Sequence, residues 1–595
     1  MTNVLPAVAS VVVLVAGASL LAGSSAVIVD RADDSKALEG RRSKVAYRVA
    51  ADAGRGSYVI DGADQQHGQQ APQAGAVPST AAVPPGSLFV ESNTCLACHN
   101  GLFAADGEDI SIGFDWRSSM MANAARDPYW HAGVRRESLD HPESQAAIEH
   151  ECAACHMPAT HYEAKLKDLQ HSVFSHLPGA RGMTPADVLS ADGVSCTVCH
   201  RIENEKLGTR ESFTAGFVVR PVAANAARTV FGPFTVDAGR TRVMESASGF
   251  QPANSMHIQK SEMCATCHTL FTHALGPGGE HLGELPEQVP YLEWLHSEYR
   301  EKASCQSCHM PLVEGPAEIS SVLGQPRQPV ARHEFRGGNF LMPRILNRFA
   351  GELAVVALPQ EFDTTSRNAM EHLRGASAKV TIDPARIEGA RLVASVTVEN
   401  LAGHKLPTAY PSRRAWLHFT VRDASGKVVF ESGAVGAKGS IEGNDNDEDP
   451  SRFEPHYPEI DAPGKVQVYE PIMVDSKGAV TTGLLSGVRY AKDNRLLPRG
   501  FDKATAYADV AVRGDATADA DFTAGRDTVR YAVGLGGAQG PFEIQAELLY
   551  QPIGYRWAQN LRGRNTAETD RFIGYWDKMA SASSTLLATT QATVK

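Results

Sequence analysis

Residues Cys152-Ala153-Ala154-Cys155-His156 contain the pattern that decides how this chain folds: two cysteines, two residues between them and a histidine directly after. The pattern occurs five times in the 595 residues. The cysteine pairs are Cys95/Cys98, Cys152/Cys155, Cys196/Cys199, Cys264/Cys267 and Cys305/Cys308, and the histidines that follow them are His99, His156, His200, His268 and His309. These pairs account for all 10 cysteines, so none remains for a disulfide or for a nucleophilic thiolate.

Each copy of the pattern has the residue types that attach haem c covalently. The two thiols add to the vinyl groups of the haem, and the adjoining histidine can coordinate the iron as its proximal ligand. A zinc site is the alternative interpretation of an isolated copy. Zinc, however, would need four ligands from paired motifs, and a histidine after every pair would have no role in such a site. The sequence therefore predicts five haem c groups.

The sixth coordination position of each iron needs a second ligand from elsewhere in the chain. After the five proximal histidines are set aside, 16 of the 21 histidines remain, so we expect low-spin bis-histidine coordination. Such sites change little in geometry between Fe(III) and Fe(II), which suits electron transfer, whereas an empty sixth position would offer a place for substrate. The candidate distal ligands are His257, His333, His404, His372, His141 and Met121.

Local sequence favours several of these candidates. His257 lies seven residues before Cys264, and a histidine just upstream of a motif often reaches a nearby iron. His404 lies in a loop rich in Gly and Pro, where a surface histidine is the alternative, and His333 precedes a Gly pair that allows close backbone approach. Ligation by the Met121 thioether would raise the potential of its haem, although paired methionines are also common core residues.

The N-terminal part of the chain differs from the rest. Residues 1–29 are mostly apolar and predict either a cleaved signal peptide or a retained membrane anchor, and the sequence leaves both open. Residues 30–88 are rich in Ala, Gln, Gly and Pro and predict a flexible linker. Haem c is attached outside the cytoplasm, so we expect a periplasmic or cell-surface protein. The formal net charge of -11 argues against a nucleic-acid partner.

The remaining residues predict an α+β fold in three parts. Residues 89–374 hold all five motifs and predict a mostly helical and irregular domain packed around haems. Seven runs of alternating polarity within residues 375–552 predict an all-β sandwich, and residues 553–595 predict a C-terminal helical tail. In the first part the expected helices are 127–137, 143–150, 290–301, 343–353 and 367–373, and the expected short strands are 217–219, 229–231 and 234–236.

Six stretches carry a resemblance to a known family. They are Trp116–Met121, Cys152–Pro158, Ser261–His268, Tyr291–Leu295, Cys305–Pro311 and Gly403–Thr408. On these stretches the chain resembles bacterial multihaem, here pentahaem, c-type cytochromes with a β-rich C-terminal domain. The resemblance implies covalent haem c and electron transfer in the periplasm or at the cell surface, and it implies no particular reaction.

Two functions are compatible with these features. The favoured one is an electron carrier between a membrane donor and an extracytoplasmic acceptor, with redox proteins as its partners, because five motifs lie close together in the sequence. The alternative is a haem enzyme with one open haem that acts on nitrite or hydroxylamine. The Lys-ended attachment motif of many such reductases is absent, and a β-sandwich is foreign to them. Electron transfer is therefore preferred to an enzyme.

Overall fold

The structure is a computed structural model that describes residues 87–178, 183–223 and 226–595. The predicted signal peptide or anchor, and the predicted linker as far as residue 86, lie outside the described residues. Within those three ranges, no helix is long and apolar enough to cross a membrane.

Short helices dominate the part of the chain that carries the motifs. The α-helices of the described residues are α1 (Asn93–Leu96), α2 (Ile112–Arg117), α3 (Pro128–Asp140), α4 (Gln145–His156), α5 (Pro158–Lys165), α6 (Pro185–Ala191), α7 (Cys196–His200), α8 (Ala238–Ser248), α9 (Ser261–Ala265), α10 (Pro290–Leu295), α11 (Cys305–His309), α12 (Leu341–Arg348), α13 (Pro359–Ala376), α14 (Asp445–Glu448), α15 (Tyr555–Gln559) and α16 (Ala567–Met579). The five predicted helices of the motif region all fall on observed ones.

Helix boundaries follow local hydrogen bonding. Asp127 caps α3 by accepting from the backbone N–H groups of Tyr129 and Trp130. Pro128 is the first residue of the helix, where its fixed φ already has a helical value. The prediction that α10 continues to residue 301 is wrong. The Ser297 hydroxyl donates to the Trp294 carbonyl, and the N–H of Glu298 donates to Arg499 instead of to the preceding turn.

The strands lie mostly in the second half of the chain. They are β1 (Arg228–Gly232), β2 (Phe250–Asn254), β3 (Leu270–Leu275), β4 (His281–Gln288), β5 (Ala317–Glu318), β6 (Pro326–Arg327), β7 (Ala378–Ile382), β8 (Arg386–Glu388), β9 (Arg391–Asn400), β10 (Arg414–Arg422), β11 (Val428–Ser432), β12 (Glu459–Ile460), β13 (Val468–Tyr469), β14 (Pro471–Val474), β15 (Val480–Thr481), β16 (Arg489–Asp493), β17 (Arg526–Gly534), β18 (Phe542–Gln551) and β19 (Thr585–Val594). All seven period-two runs coincide with strands, one of them divided between β13 and β14.

Two of the three short strands predicted before β2 are wrong. Residues 217–219 are irregular, although Phe217 and Val219 are buried, because the N–H and the carbonyl of Val219 both bond to the Tyr162 hydroxyl. Residues 234–236 are too few for a strand between the end of β1 and the Asp237 cap of α8. Their apolar pattern reflects burial of irregular backbone.

Two five-stranded sheets share a core. One has the order β12-β17-β9-β7, with β8 also paired to β9, and the other has the order β11-β10-β18-β19, with β13 also paired to β10. The rings of Phe419 in β10 and Tyr531 in β17 stack across the two sheets, with centroids 3.8 Å apart. The same hydrophobic core continues into α12 and α13 through Leu346 and Leu373, so the sheets and the helical region are packed together.

The C-terminal tail is only partly helical, so the prediction of a helical tail over residues 553–595 is wrong in its last part. Helices α15 and α16 are separated by a break at Gly563 and Asn565, which both have positive φ. Residues Thr585–Val594 then form β19, antiparallel to β18 along its whole length. The Thr-rich alternating sequence suits a strand, and the pairing covers the otherwise open edge of β18.

Phe419→Ala tests the shared core of the two sheets. Phe419 is fully buried, so truncation should lower the free energy of unfolding by about 3–5 kcal/mol. Urea titration followed by circular dichroism measures this loss. Phe103→Ala, at a side chain that is 62% exposed, is the control and should change stability by less than about 0.5 kcal/mol. Equal effects of the two substitutions would contradict the packing.

His418 gives the sheet around β10 a dependence on pH. Burial acts to lower the pKa of His418, but hydrogen bonds to Glu547 and Glu431 outweigh it and raise the pKa. The stabilisation is therefore present below the unfolded pKa of about 6.5 and is lost as pH rises through the folded pKa. We expect His418→Gln to cost about 1 kcal/mol more at pH 6 than at pH 9. Equal losses at the two pH values, from urea titration, would show that the ion pairs contribute nothing.

Candidate haem-attachment sites

Each motif forms a single helical turn. Motifs that begin at Cys196 and Cys305 are the short helices α7 and α11, and the motif at Cys152 ends α4. In the other two, the N–H groups of His99 and His268 donate to the carbonyls of Cys95 and Cys264, 3.0 Å away in both cases. Residues three and four apart lie on one face of such a turn. Both thiols and the histidine of a motif can therefore contact one bound group.

Four of the five motif histidines bond to a backbone carbonyl through Nδ1. The pairs are His99 with Ile319 at 2.5 Å, His156 with Ala124 at 2.9 Å, His200 with Phe231 at 2.6 Å, and His309 with Arg336. A carbonyl can only accept, so each ring carries its proton on Nδ1 and keeps a lone pair on Nε2. This is the tautomer that coordinates a metal through Nε2. The residues present fit haem c.

Burial keeps four of the five motif imidazoles neutral. Desolvation lowers the pKa of His156 and of His268 to about 4, and it also lowers the pKa values of His200 and His309. A neutral imidazole is the form that binds a metal ion, so these four side chains could bind an iron at neutral pH.

Thiols of different motifs lie side by side. The interaction between Cys95 and Cys196 lowers the pKa of Cys95 and raises that of Cys196. The same kind of contact joins Cys155 to Cys267 and Cys264 to Cys305. The thiols of Cys155, Cys199 and Cys267 also pack against one apolar cluster that includes Val198 and Met263. In space, the first motif thus lies beside the third, the third beside the fourth, and the fourth beside the fifth. The second motif also lies beside the fourth.

Cys98 and Cys308 are the second cysteines of the first and fifth motifs, and they differ in exposure. Cys98 is half-buried, and its carbonyl accepts from the N–H of Ser321 at 2.8 Å and from the Ser321 hydroxyl at 3.0 Å. Cys308 is exposed, whereas the other nine cysteines are partly buried. The role of Cys98 and Cys308 in haem attachment stays a prediction that rests on the motif.

Two predicted distal ligands face proximal histidines at the separation that a shared iron requires. An imidazole–metal bond of about 2.0 Å on each side, together with the ring size, puts two axial ring centres roughly 6.3 Å apart. The ring centres of His333 and His200 are 6.3 Å apart, and those of His404 and His309 are 6.2 Å apart. His404 donates from Nδ1 to the Lys405 carbonyl at 2.8 Å, which leaves its Nε2 free.

His372, another predicted distal ligand, also lies near His309. It lies on α13, and its ring centre is 6.0 Å from that of His309, but the two ring planes are inclined by 53°. The rings of His404 and His309 are inclined by only 15°. The loop histidine and the helix histidine thus approach the fifth motif from different elements.

The structure does not bring the other three candidates to a proximal ring. His257 is buried, with Nε2 2.8 Å from the Ile202 carbonyl and Nδ1 2.7 Å from the Ser255 hydroxyl, so both ring nitrogens have partners within the chain. His141 places Nε2 3.2 Å from the Ser486 hydroxyl. Met121 lies beside the third motif, where its carbonyl accepts from the N–H of Val194.

Sequence reasoning missed Trp130. Its indole stacks on the imidazole of His156, with centroids 4.2 Å apart and planes only 1° from parallel. The Asp127 cap and Pro128 fix the start of α3 and so place Trp130 in its first turn. An Asp-Pro start followed by an aromatic residue was the available signal, but only the fold shows that the ring meets a motif histidine.

A separate group of possible metal ligands lies among the β-strands. Nε2 of His456 is 3.3 Å from a carboxylate oxygen of Asp519 and 3.7 Å from one of Asp527. All three side chains are largely buried, and burial lowers the pKa of His456 to about 4. Distance alone would allow a cation.

The tautomer of His456 argues against a bound cation, although its Nε2 and one carboxylate oxygen each of Asp519 and Asp527 are buried without a hydrogen-bond partner. Its Nδ1 accepts from the side-chain amides of Gln467 at 2.8 Å and Asn494 at 3.1 Å. These amides cannot turn over without cost, because their oxygens already accept from the N–H groups of Tyr457 and Glu470. The proton of the neutral ring therefore lies on Nε2 and points toward the carboxylates, where a metal ion would need a lone pair.

Comparison with known proteins adds little. No protein-family model matches the chain, and no match is found among curated proteins. Among solved structures the chain is similar to a penta-heme cytochrome c552 from Thermochromatium tepidum, with a TM-score of 0.46 and 14% sequence identity. That similarity covers 85% of this chain and 100% of the other.

His333→Ala tests the pairing with His200. If both rings bind one iron, removal of the distal imidazole should convert one haem in the chain from low spin to high spin, and added imidazole should restore it. Electron paramagnetic resonance of the oxidised protein gives the measurement. His281→Ala, at an exposed histidine of β4, is the control. An unchanged low-spin spectrum for His333→Ala would exclude the pairing.

Proposed function

We propose that this protein is a multihaem c-type cytochrome that carries electrons through five covalently attached haem c groups. Bound haem c supplies one-electron chemistry at its iron. The observation that carries the proposal is the set of Nδ1–carbonyl hydrogen bonds, which orient four motif histidines for ligation through Nε2. The shared tautomer leaves Nε2 of each ring with a free lone pair, which a metal-binding motif needs and a purely structural motif does not.

The order of the attachment turns supports transfer along a row. Neighbouring motifs touch through their thiols, from Cys95 to Cys196, and from Cys264 to Cys305. Groups held by these residues would be neighbours in the same order, with the second motif joined to the fourth through Cys155 and Cys267. Residues 89–374 would form the haem-packed domain, and the β-rich residues 375–552 would lend His404 to it.

The chain's own residues would keep each site ready for rapid transfer. Paired imidazoles such as His200 with His333 need not move between oxidation states, so little reorganisation opposes electron transfer. The carbonyls bonded to Nδ1 raise the basicity of the ring and tune the metal. We propose an exported location, with a membrane donor, an extracytoplasmic acceptor and redox proteins as partners.

A second candidate function is a haem enzyme acting on a small nitrogen compound such as nitrite or hydroxylamine. Across residues 87–178, 183–223 and 226–595, no histidine ring faces His99, His156 or His268 at the 6 Å spacing seen for the other two. Near His268, the positive charge of Arg413 contributes to lowering the histidine pKa, after burial and His309. An open sixth position beside an arginine would suit an anionic substrate.

Haem content tests the proposal directly. Protein made in a host that attaches haem c should give five haems per chain by pyridine haemochrome, and Cys196→Ala with Cys199→Ala should give four, because the other turns remain intact. His281→Ala serves as the control and should keep five. A wild-type count below five would contradict the proposal.

Spin state separates the two functions in the same samples. A high-spin signal that responds to nitrite or hydroxylamine would favour the enzyme. Low-spin signals alone, unaffected by either compound, would favour electron transfer.

A further inference from the structure

We infer that Glu293 is a positioning residue that holds the loop of His404, so that His404 faces His309 as a distal ligand. The inference rests on the proposed function and deepens it, because it names the group outside the motifs that couples the β-rich part of the chain to the fifth attachment turn.

Glu293 ties the loop to α10. Its side chain is fully buried, and one carboxylate oxygen accepts from the N–H of Lys405 at 3.1 Å and from the hydroxyl of Thr408 at 2.5 Å. The bonded residues flank His404 on its C-terminal side. The amide of Asn400 donates to the His404 carbonyl at 2.8 Å. Both polar groups of the peptide unit that joins His404 to Lys405 are therefore held by buried side chains.

Trp294 in α10 and Tyr299 just after it contact the start of the loop. The Tyr299 hydroxyl donates to the Leu401 carbonyl at 3.0 Å. A Cβ at Gly403 would lie at ordinary contact distance, 3.4 Å from the Trp294 ring and 3.5 Å from Tyr299, so the loop packs against both residues. The segment that begins with α10 thus holds the loop through the Glu293 carboxylate, the Tyr299 hydroxyl and the Trp294 ring.

Four buried charges alternate in sign and extend from Glu293 into the sheet region. Glu293 pairs with Arg495 at 2.9 Å, Arg495 with Asp493 at 2.8 Å, and Asp493 with Lys405 at 2.7 Å. All four side chains are at least nine-tenths buried. Burial acts to raise the pKa of Asp493, but Arg495 and Lys405 hold it well below its usual range. Removing one member leaves its neighbour as an uncompensated buried charge.

The network also decides between two histidines. His372 lies at a similar distance from His309 but on α13. The hydrogen bonds and the ion pair of Glu293 go to Lys405, Thr408 and Arg495, none of which belongs to that helix. A carboxylate that fixes only the His404 loop gives that histidine the advantage, because the position of its Nε2 is set before any ligand arrives.

The test compares Glu293→Ala, His404→Ala and the double variant in the haem-loaded protein. Electron paramagnetic resonance should show both single variants losing the same low-spin signal, that of one haem in five. The double variant should lose nothing further, because Glu293 acts through His404, and added imidazole should restore low spin in all three. A wild-type spectrum for Glu293→Ala, or a loss that adds to that of His404→Ala, overturns the inference.

Two further variants control the experiment. Glu301→Ala changes an exposed glutamate in the same segment and should leave the spectrum unaltered. Thr408→Val removes only one hydroxyl that donates to Glu293 and should weaken the same signal in part. If Glu293→Ala does not fold, an unchanged spectrum for Thr408→Val overturns the inference.

Haem content distinguishes this inference from the proposed function. Wild-type protein without covalent haem would refute the proposed function. Five haems per chain together with an unchanged Glu293→Ala spectrum would refute the role of Glu293 alone.

Discussion

The hydrogen bond from a motif histidine to a distant carbonyl is the interaction on which the first half of the structure depends. His99 reaches Ile319, and His309 reaches Arg336, so each bond joins an attachment turn to a remote and irregular segment. Short helices cannot bury much apolar surface by themselves. In the described part of the chain, these hydrogen bonds therefore determine which segments of the motif region lie together. Strand pairing has the same effect in the β-rich region.

Regular patterns in the sequence predicted regular structure well. The runs that became β9 and β18 alternate over most of their length, because one face of each strand is buried between the two sheets. The run that became β10 is instead buried at seven of its nine positions. Residues 217–219 show the same alternation without a strand, since the Tyr162 hydroxyl satisfies the backbone of Val219. Sequence periodicity reports burial, and it identifies a strand only where a neighbouring strand is available.

The sequence alone identifies the motif cysteines and histidines, whereas it does not show which candidate distal ligand faces which motif. A motif is local, and its cysteines and histidine are fixed within one turn. A candidate distal ligand such as His404 depends on a loop brought from far along the chain, and the other candidate near His309 is His372 on α13. His257 is the opposite case. It lies close to a motif in sequence, yet both of its ring nitrogens already have hydrogen-bond partners within the chain. Proximity in sequence is a poor guide to which lone pair remains free.

The side-by-side thiols have a consequence for how such a protein matures. Cys95 beside Cys196, and Cys264 beside Cys305, are placed where an oxidant can join them before haem arrives. Under the proposed haem attachment, each disulfide formed between two turns would block two attachment sites at once. In the proposed exported location, covalent attachment of haem would therefore have to precede oxidation of the thiols, or a reductant would have to keep the thiols reduced.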